Sequence, residues 1–187
     1  FVLINKYLKE TGICKVIYKA IPWIYHRMPA EEDLYALFKV CNAQLIKREV
    51  SSTIVYDNKK IKFTESRRSG IRKAERNGII ISETEDMTSF WQILNDNLAE
   101  RHNAKPVHSL EEIQLLKSRF PNNIRLFMAN SPEGCPLGGA VIYESRGIAH
   151  TQYISASPEG KQQGVLDLLF HHVINNVYAG AEYKYFD

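Results

Sequence analysis

The sequence predicts an α/β fold, a mixed central sheet with flanking helices, on three observations. From Ile79 onward, segments of strand and helix character follow in the order β-α-α-β-β-β-α-β. The helical segments keep apolar residues at 3.6-residue spacing, whereas the strands are short, β-branched or aromatic, and bounded by turn formers. A chain of 187 residues can bury one substantial core and part of a second.

Taken in order, "GICKVIYKAIPWIYH" (Gly12 to His26) has strand composition, with Pro22 forcing a bend or an edge position. In "PAEEDLYALFKVCNAQLIKREV", Pro29, Glu31, Glu32 and Asp33 suit a first helical turn, and Leu34, Leu37, Phe38 and Cys41 form an apolar face. "SSTIVYD" (Ser51 to Asp57) reads as a short strand, followed by a turn at "NKK". Thr64 to Asn77 reads as a helix stopped by Gly78, with an unfavourable interior Gly70. Strand "IIISE" and helix "DMTSFWQILNDNLAERHN" come next, then a helix opened by Ser109 and Glu112 at capping-box spacing. Strands "IRLFMAN", "LGGAVIYES" and "IAHTQYISAS" are separated by "SPEGCP" and "SRG". Helix "VLDLLFHHVINNVYAG" and strand "YKYFD" complete the pattern.

A net charge of +3, from 24 basic and 21 acidic residues, does not by itself point to nucleic acid. Cys14, Cys41 and Cys135 are odd in number and far apart, which fits reduced thiols in a cytoplasmic protein. No apolar run reaches the roughly 18 residues of a membrane span, and no leader pattern is visible. No set of His, Cys, Asp and Glu has metal-ligand spacing, so no metal is expected.

The stretch "ASPEGKQQGVLDLLF" turns from polar and Gly-punctuated to apolar at helical spacing. A loop between a strand and a helix can aim main-chain N–H groups at one anion, helped by the helix dipole. Gly160 and Gly164 permit close approach, Lys161 adds a cation, and Gln162 and Gln163 add donors. A plain polar turn before a helix is the other reading. The spacing makes neither a P-loop nor G-x-G-x-x-G.

In element order, with this loop after the fourth strand, the sequence resembles the GNAT acyltransferase superfamily. The resemblance implies binding of acyl-CoA, with the diphosphate met by a Q/R-x-x-G-x-G/A motif. The matching residues are Lys161, Gln162, Gln163, Gly164, Val165 and Leu166. Lys161 stands where Gln or Arg is usual, and Leu166 where a small residue is usual. It also implies that Ile154, Ser155, Ala156 and Ser157 grip the donor through the strand's main chain. "TESRRSGIRKAERNGIIISET" resembles the segment between the two lobes of Fem-family (FemAB-like) transferases, which join amino acids from aminoacyl-tRNA to cell-wall precursors. On that likeness, residues 1–60 are the trailing part of a first GNAT-like lobe and 61–78 a basic connecting helix. Residues 79–187 are then the leading part of a second lobe, cut after its fifth strand.

Acyl transfer to an amine needs a grip on the donor, a base for the amine proton and an acid for the leaving group. Tyr153 can orient the acceptor or give a proton, and reads equally as a half-buried packing residue. Alternation places His150, Gln152 and Ile154 on one face, Thr151 and Tyr153 on the other. His150 titrates in the useful range, and Glu144 closes the preceding strand; either can serve as base or be structural. His102 and His108 flank "NAKPV" and line an acceptor site or a solvated loop. His171 and His172 fall within an apolar helix. Tyr185 lies inside a strand, a poor place for the leaving-group acid. There is no G-x-S-x-G elbow and no Cys–His pair, so direct attack is expected. Arg68, Arg72 and Arg76 form a cationic stripe, diluted by Glu65 and Glu75, that is either a solvated face or a tRNA contact.

These residues support three readings. The first is an N-acyltransferase moving acetyl from acetyl-CoA to a primary amine of a small molecule or peptide. The second is an aminoacyl-tRNA-dependent transferase, and the third a catalytically silent binding module.

Overall fold

The computed structural model describes residues 1–57, 61–180 and 182–187, without the side chain of His102; the expected turn at 58–60 lies outside them. The chain divides into two units, Phe1–Ser52 and Thr53–Asp187. In the first, helix α1 (Val2–Glu10), unforeseen in the sequence, is followed by a 3₁₀ turn at Trp23–Tyr25 and helix α2 (Glu32–Lys39). The strand expected over 12–26 does not form. A strand depends on ladder hydrogen bonds, and no described strand of this unit runs beside Ile13, Val16, Ile17 and Tyr18, whose side chains are exposed. The second helix starts where its acidic first turn predicts but stops at Lys39, and Asn42 takes φ 50° just beyond.

The second unit carries a six-stranded sheet in the order β1-β6-β5-β4-β3-β2. Strands β2 (Ile80–Thr84), β3 (Ile124–Asn130), β4 (Pro136–Ser145) and β5 (Ile148–Ala156) form an antiparallel meander. Strand β6 (Tyr185–Phe186) runs parallel to the start of β5, and β1 (Ile54–Val55) runs antiparallel to β6. The strand expected over 51–57 is therefore confined to Ile54–Val55, at the edge of this sheet.

One sheet face is covered by α3 (Glu65–Arg76) and α7 (Val165–His172), over a core that includes Phe127, Ala140, Ile142, Leu169 and Tyr178. The other is covered by α4 (Met87–His102) and α5 (Leu110–Arg119), over Phe90, Trp91, Ile113, Leu126 and Val141. The expected capping box opens α5: Glu112 N–H donates to Ser109 Oγ (3.2 Å) and Ser109 N–H to Glu112 Oε2 (2.7 Å). Gly70 has a packing reason. A Cβ there would stand 1.9 Å from Asp167 Oδ2, and one on Gly164 (φ 75°) would stand 2.7 Å from the Gly70 carbonyl oxygen. Two residues without Cβ let α3 meet the start of α7 backbone to backbone.

After α7 the chain makes a π turn, Val173–Val177. Its buried Asn175 receives Ile61 N–H (3.0 Å) and donates to Ile61 C=O (3.2 Å), and Tyr56 OH donates to Ile174 C=O (3.0 Å). Burial pushes the Tyr56 hydroxyl up to about 12.

Candidate active site

Strand β5 carries most of the candidate residues, and its register corrects their expected alternation. Val141 opposes Tyr153, whereas the next pair is Ile142 with Thr151, so Gln152 is a bulged, unopposed residue. One extra residue reverses the faces downstream of it. Opposed side chains share a face. Tyr143 opposes His150 and Val141 opposes Tyr153, and both Tyr143 and Val141 pack in the α4–α5 core. His150 and Tyr153 thus look to the same side, while Thr151 joins Ile154 on the other.

Glu144 opposes Ala149 of the α3–α7 core, away from Tyr153. Its Oε1 accepts from Tyr178 OH (2.5 Å) and Arg125 Nη1 (3.0 Å), and its Oε2 from Tyr183 OH (2.7 Å). Arg125 also donates from Nε and Nη2 to Glu83 (2.8 and 2.6 Å) and lies over the Phe127 ring (4.9 Å). Burial, then the Glu144 carboxylate, pushes both tyrosine hydroxyls above the ordinary phenol range. The bonds it donates to Glu83, opposed by burial, hold Arg125 in its charged form. Glu144 is therefore engaged on both oxygens and is not brought together with the other two catalytic candidates.

On the α4–α5 side, Tyr153 OH and His108 Nδ1 are 2.5 Å apart, and the Trp91 ring meets Tyr153 edge-on at 5.1 Å. Trp91 Nε1–H donates to the His108 carbonyl (3.2 Å). Beside them the Tyr143 hydroxyl is buried with no hydrogen-bond partner among the described residues, and burial, then Tyr153, pushes it up. His150 Nδ1 faces Asp187 Oδ2 (3.0 Å), whose Oδ1 receives Thr53 Oγ1–H (3.1 Å). At the far end of β5, Asn97 Nδ2 donates to Ser155 Oγ (2.6 Å) and Ala156 C=O (2.7 Å), and Lys161 Nζ donates to Asn97 Oδ1. Desolvation, then Arg101, lowers the Lys161 ammonium.

Residues after Ser157 do not form the expected open loop. They fold as a short helix, α6 (Pro158–Gln163). Ser157 Oγ accepts Gly160 N–H (3.0 Å), Ser157 C=O accepts Lys161 N–H (2.9 Å), and Gly164 N–H points back to Lys161 C=O (3.3 Å). Gly160 is buried, and a Cβ there would lie 2.2 Å from the Leu137 carbonyl oxygen. Gln163 bonds Glu159 (2.8 Å) and Gln162 is exposed. Val165 is buried in the core and Leu166 packs against it. The amides of Gly160, Lys161 and Gly164 are thus bonded within the turn rather than aimed together at one outside anion.

His171 packs edge-on to Phe63 (5.6 Å), and His172 Nδ1 meets Asn176 Nδ2 (3.4 Å). On α3, Arg68 and Arg72 both bond Glu65 (2.7 and 2.6 Å), and Arg67 bonds Asp167 (2.9 Å). Among the described residues no group of three or more His, Cys, Asp and Glu is placed to hold a metal, and no helix is long and apolar enough to cross a membrane.

No curated protein matches the chain. Among solved structures it is similar to FemX, at 11% identity over 67% of this chain and 48% of that one, with a TM-score of 0.56. It is similar also to L-PGS from Bacillus licheniformis, at 17% identity over 72% and 44% respectively, with a TM-score of 0.52. The chain spans less than half the length of either, and at these identities the likeness is one of fold. The expected GNAT-like, Fem-like architecture holds at that level. Over residues 62–187 the sequence matches the model of the acetyltransferase (GNAT) domain, and by that match the chain belongs to the GNAT family.

Proposed function

We propose that the chain carries the donor-side part of an N-acyltransferase, in which a primary amine attacks the carbonyl of an activated acyl donor directly. One observation carries this reading. Strand β6 pairs with β5 only at Ile148 and Ala149, with bonds beyond it from Asp187 N–H to Ala149 C=O (2.9 Å) and from Thr151 N–H to Asp187 C=O (2.8 Å). Beyond that point no described strand runs along this edge of β5. Ser157 N–H bonds Leu137 C=O of β4, so alternation along the strand turns the main-chain groups of Ile154 and Ala156 to the open edge. The N–H of Ile154 can hold the donor's carbonyl, and Tyr153 stands one residue away.

Of the two donors that the sequence suggests, the closed 157–164 turn favours an aminoacyl ester on tRNA over acetyl-CoA, whose diphosphate meets committed amides. The acceptor is then the amine of a cell-wall precursor, as in the Fem-like resemblance. In this reading α3, which packs with α7 on the sheet, turns its arginines outward as the phosphate contact. The full-length protein is incubated with acetyl-CoA or aminoacyl-tRNA and a panel of amines, and products are read by mass spectrometry. N-acylated product from the tRNA-borne donor, without thiol release from acetyl-CoA, is expected. Thiol release coupled to N-acetylation overturns the donor assignment, and no product from either donor overturns the transferase reading. Reversing the charges of Arg68, Arg72 and Arg76 should reduce the log–log salt slope of tRNA binding by about 2 to 3. An unchanged slope removes α3 from the interface.

A further inference from the structure

Two acid–base pairs lie on the α4–α5 side of β5, and they differ in what holds them. His150 faces the nearly buried Asp187, at the part of β5 that β6 covers. Tyr153 and His108 sit next to the uncovered part, and both are only half buried. His108 is fixed on two sides through its main chain. Its carbonyl receives the buried Trp91 indole N–H (3.2 Å), and the next residue, Ser109, is the cap of α5. The ring is thereby held against the Tyr153 hydroxyl at 2.5 Å, an arrangement set before any ligand arrives. Nothing in the spacing of residues 108 and 153 foretells it.

Resting on the acyl-transfer reading above, we infer that His108 is the positioning and proton-accepting partner of Tyr153, receiving through that phenol the proton lost by the attacking amine. Nδ1 accepts the phenol hydrogen, and Nε2 carries the ring's own. As the amine lone pair forms the C–N bond, an N–H proton passes to Tyr153 Oη while the phenol proton passes to His108 Nδ1. When the bond between the carbonyl carbon and the leaving oxygen or sulfur breaks, the proton returns along the same path to the departing atom. Both side chains end as they began. Such proton transfer contributes about 10²–10⁴-fold to rate.

The test uses the full-length protein with whichever donor supports transfer in the wild type. In His108→Asn the side-chain oxygen can still receive the Tyr153 hydroxyl but cannot take its proton. A fall in kcat of about 100-fold, with KM for the donor within about twofold, is expected. His108→Ala should recover part of its activity on addition of imidazole. The double variant Tyr153→Phe/His108→Asn should be no slower than Tyr153→Phe alone, because residues acting as a unit are not additive. His108→Asn within about threefold of wild type overturns the inference, as does a double variant showing the product of the two single losses. Absence of transfer by the wild type with every donor overturns the acyl-transfer reading itself, and this inference with it.

Discussion

The two faces of the sheet treat their polar groups in opposite ways. On the α3–α7 side, Glu144 accepts three bonds, Arg125 donates to two carboxylates, and Tyr178 and Tyr183 both end on Glu144. On the α4–α5 side, Tyr143 has a buried hydroxyl with no partner, and Tyr153 holds one short contact to a half-exposed imidazole. A fully bonded network rigidifies a core, whereas an incompletely bonded set leaves capacity for a ligand. The difference teaches that Glu144, a candidate base in the sequence, has both oxygens engaged in a structural network, and the chemistry proposed above uses the other face.

The strongest way to break this comparison is Glu144→Ala. It leaves the hydroxyls of Tyr178 and Tyr183 without their acceptor and Arg125 with Glu83 alone, and losing one partner of such a network costs about 3 kcal/mol. Urea unfolding should show that loss. A cost under about 1 kcal/mol would mean that the α3–α7 network does not hold the fold. Next in size is Gly164→Ala. The new Cβ would stand 2.7 Å from the Gly70 carbonyl oxygen in a residue at φ 75°. Left-handed strain plus a backbone clash should cost about 2–3 kcal/mol, read as a lowered melting temperature. Retained stability would show that α3 and α7 can separate without penalty.

A smaller effect appears in alkali. The raised Tyr56 pKa, about 12 against an ordinary 10.0, means that the native state binds this proton more tightly than the unfolded chain. Its contribution is complete below about pH 10 and is lost as pH rises through 12. Tyr178 and Tyr183 are shifted in the same direction, so the wild type should lose stability steeply above pH 10. Tyr56→Phe should lose less over that interval, and an equal loss would assign the whole effect to the other shifted phenols, Tyr143 among them.

How much of this was legible in the sequence follows from the range of each interaction. Ser109 and Glu112 are three residues apart, and their capping box was readable outright. Helix α6, where the sequence suggests a loop, also carries local signals. Ser157 is its N-cap, Pro158 its first residue and Glu159 an acid in its first turn, the ordinary signals of a helix start. Gly160 and Gly164, which suggest a phosphate loop, serve instead a close approach to Leu137 and the left-handed end of this helix. The strand expected over 12–26 is absent because β-branched composition describes a residue's fit to a sheet, not whether a partner strand exists. The bulge at Gln152 was beyond reach, since register is a property of two strands. The pairing of His108 with Tyr153 joins a loop to a strand across 45 positions, and no local pattern encodes it.

The smallest expected effect sharpens the comparison most. Tyr143→Phe removes a hydroxyl that is buried without a partner, so the variant sheds a desolvation cost and loses no protein hydrogen bond. Stability should stay level or rise by up to about 1 kcal/mol. Tyr178→Phe, which removes a bond to Glu144, should instead cost about 1–2 kcal/mol. The sign is what matters. Two identical substitutions on opposite faces of one sheet should move the urea midpoint in opposite directions, or one of them not at all. If Tyr143→Phe is as destabilising as Tyr178→Phe, then the Tyr143 hydroxyl is bonded in solution, and the α4–α5 face has no spare polar capacity. A stable Tyr143→Phe variant with weakened donor binding would instead make that hydroxyl a ligand contact, and would put the working face of β5 on the side of Tyr153.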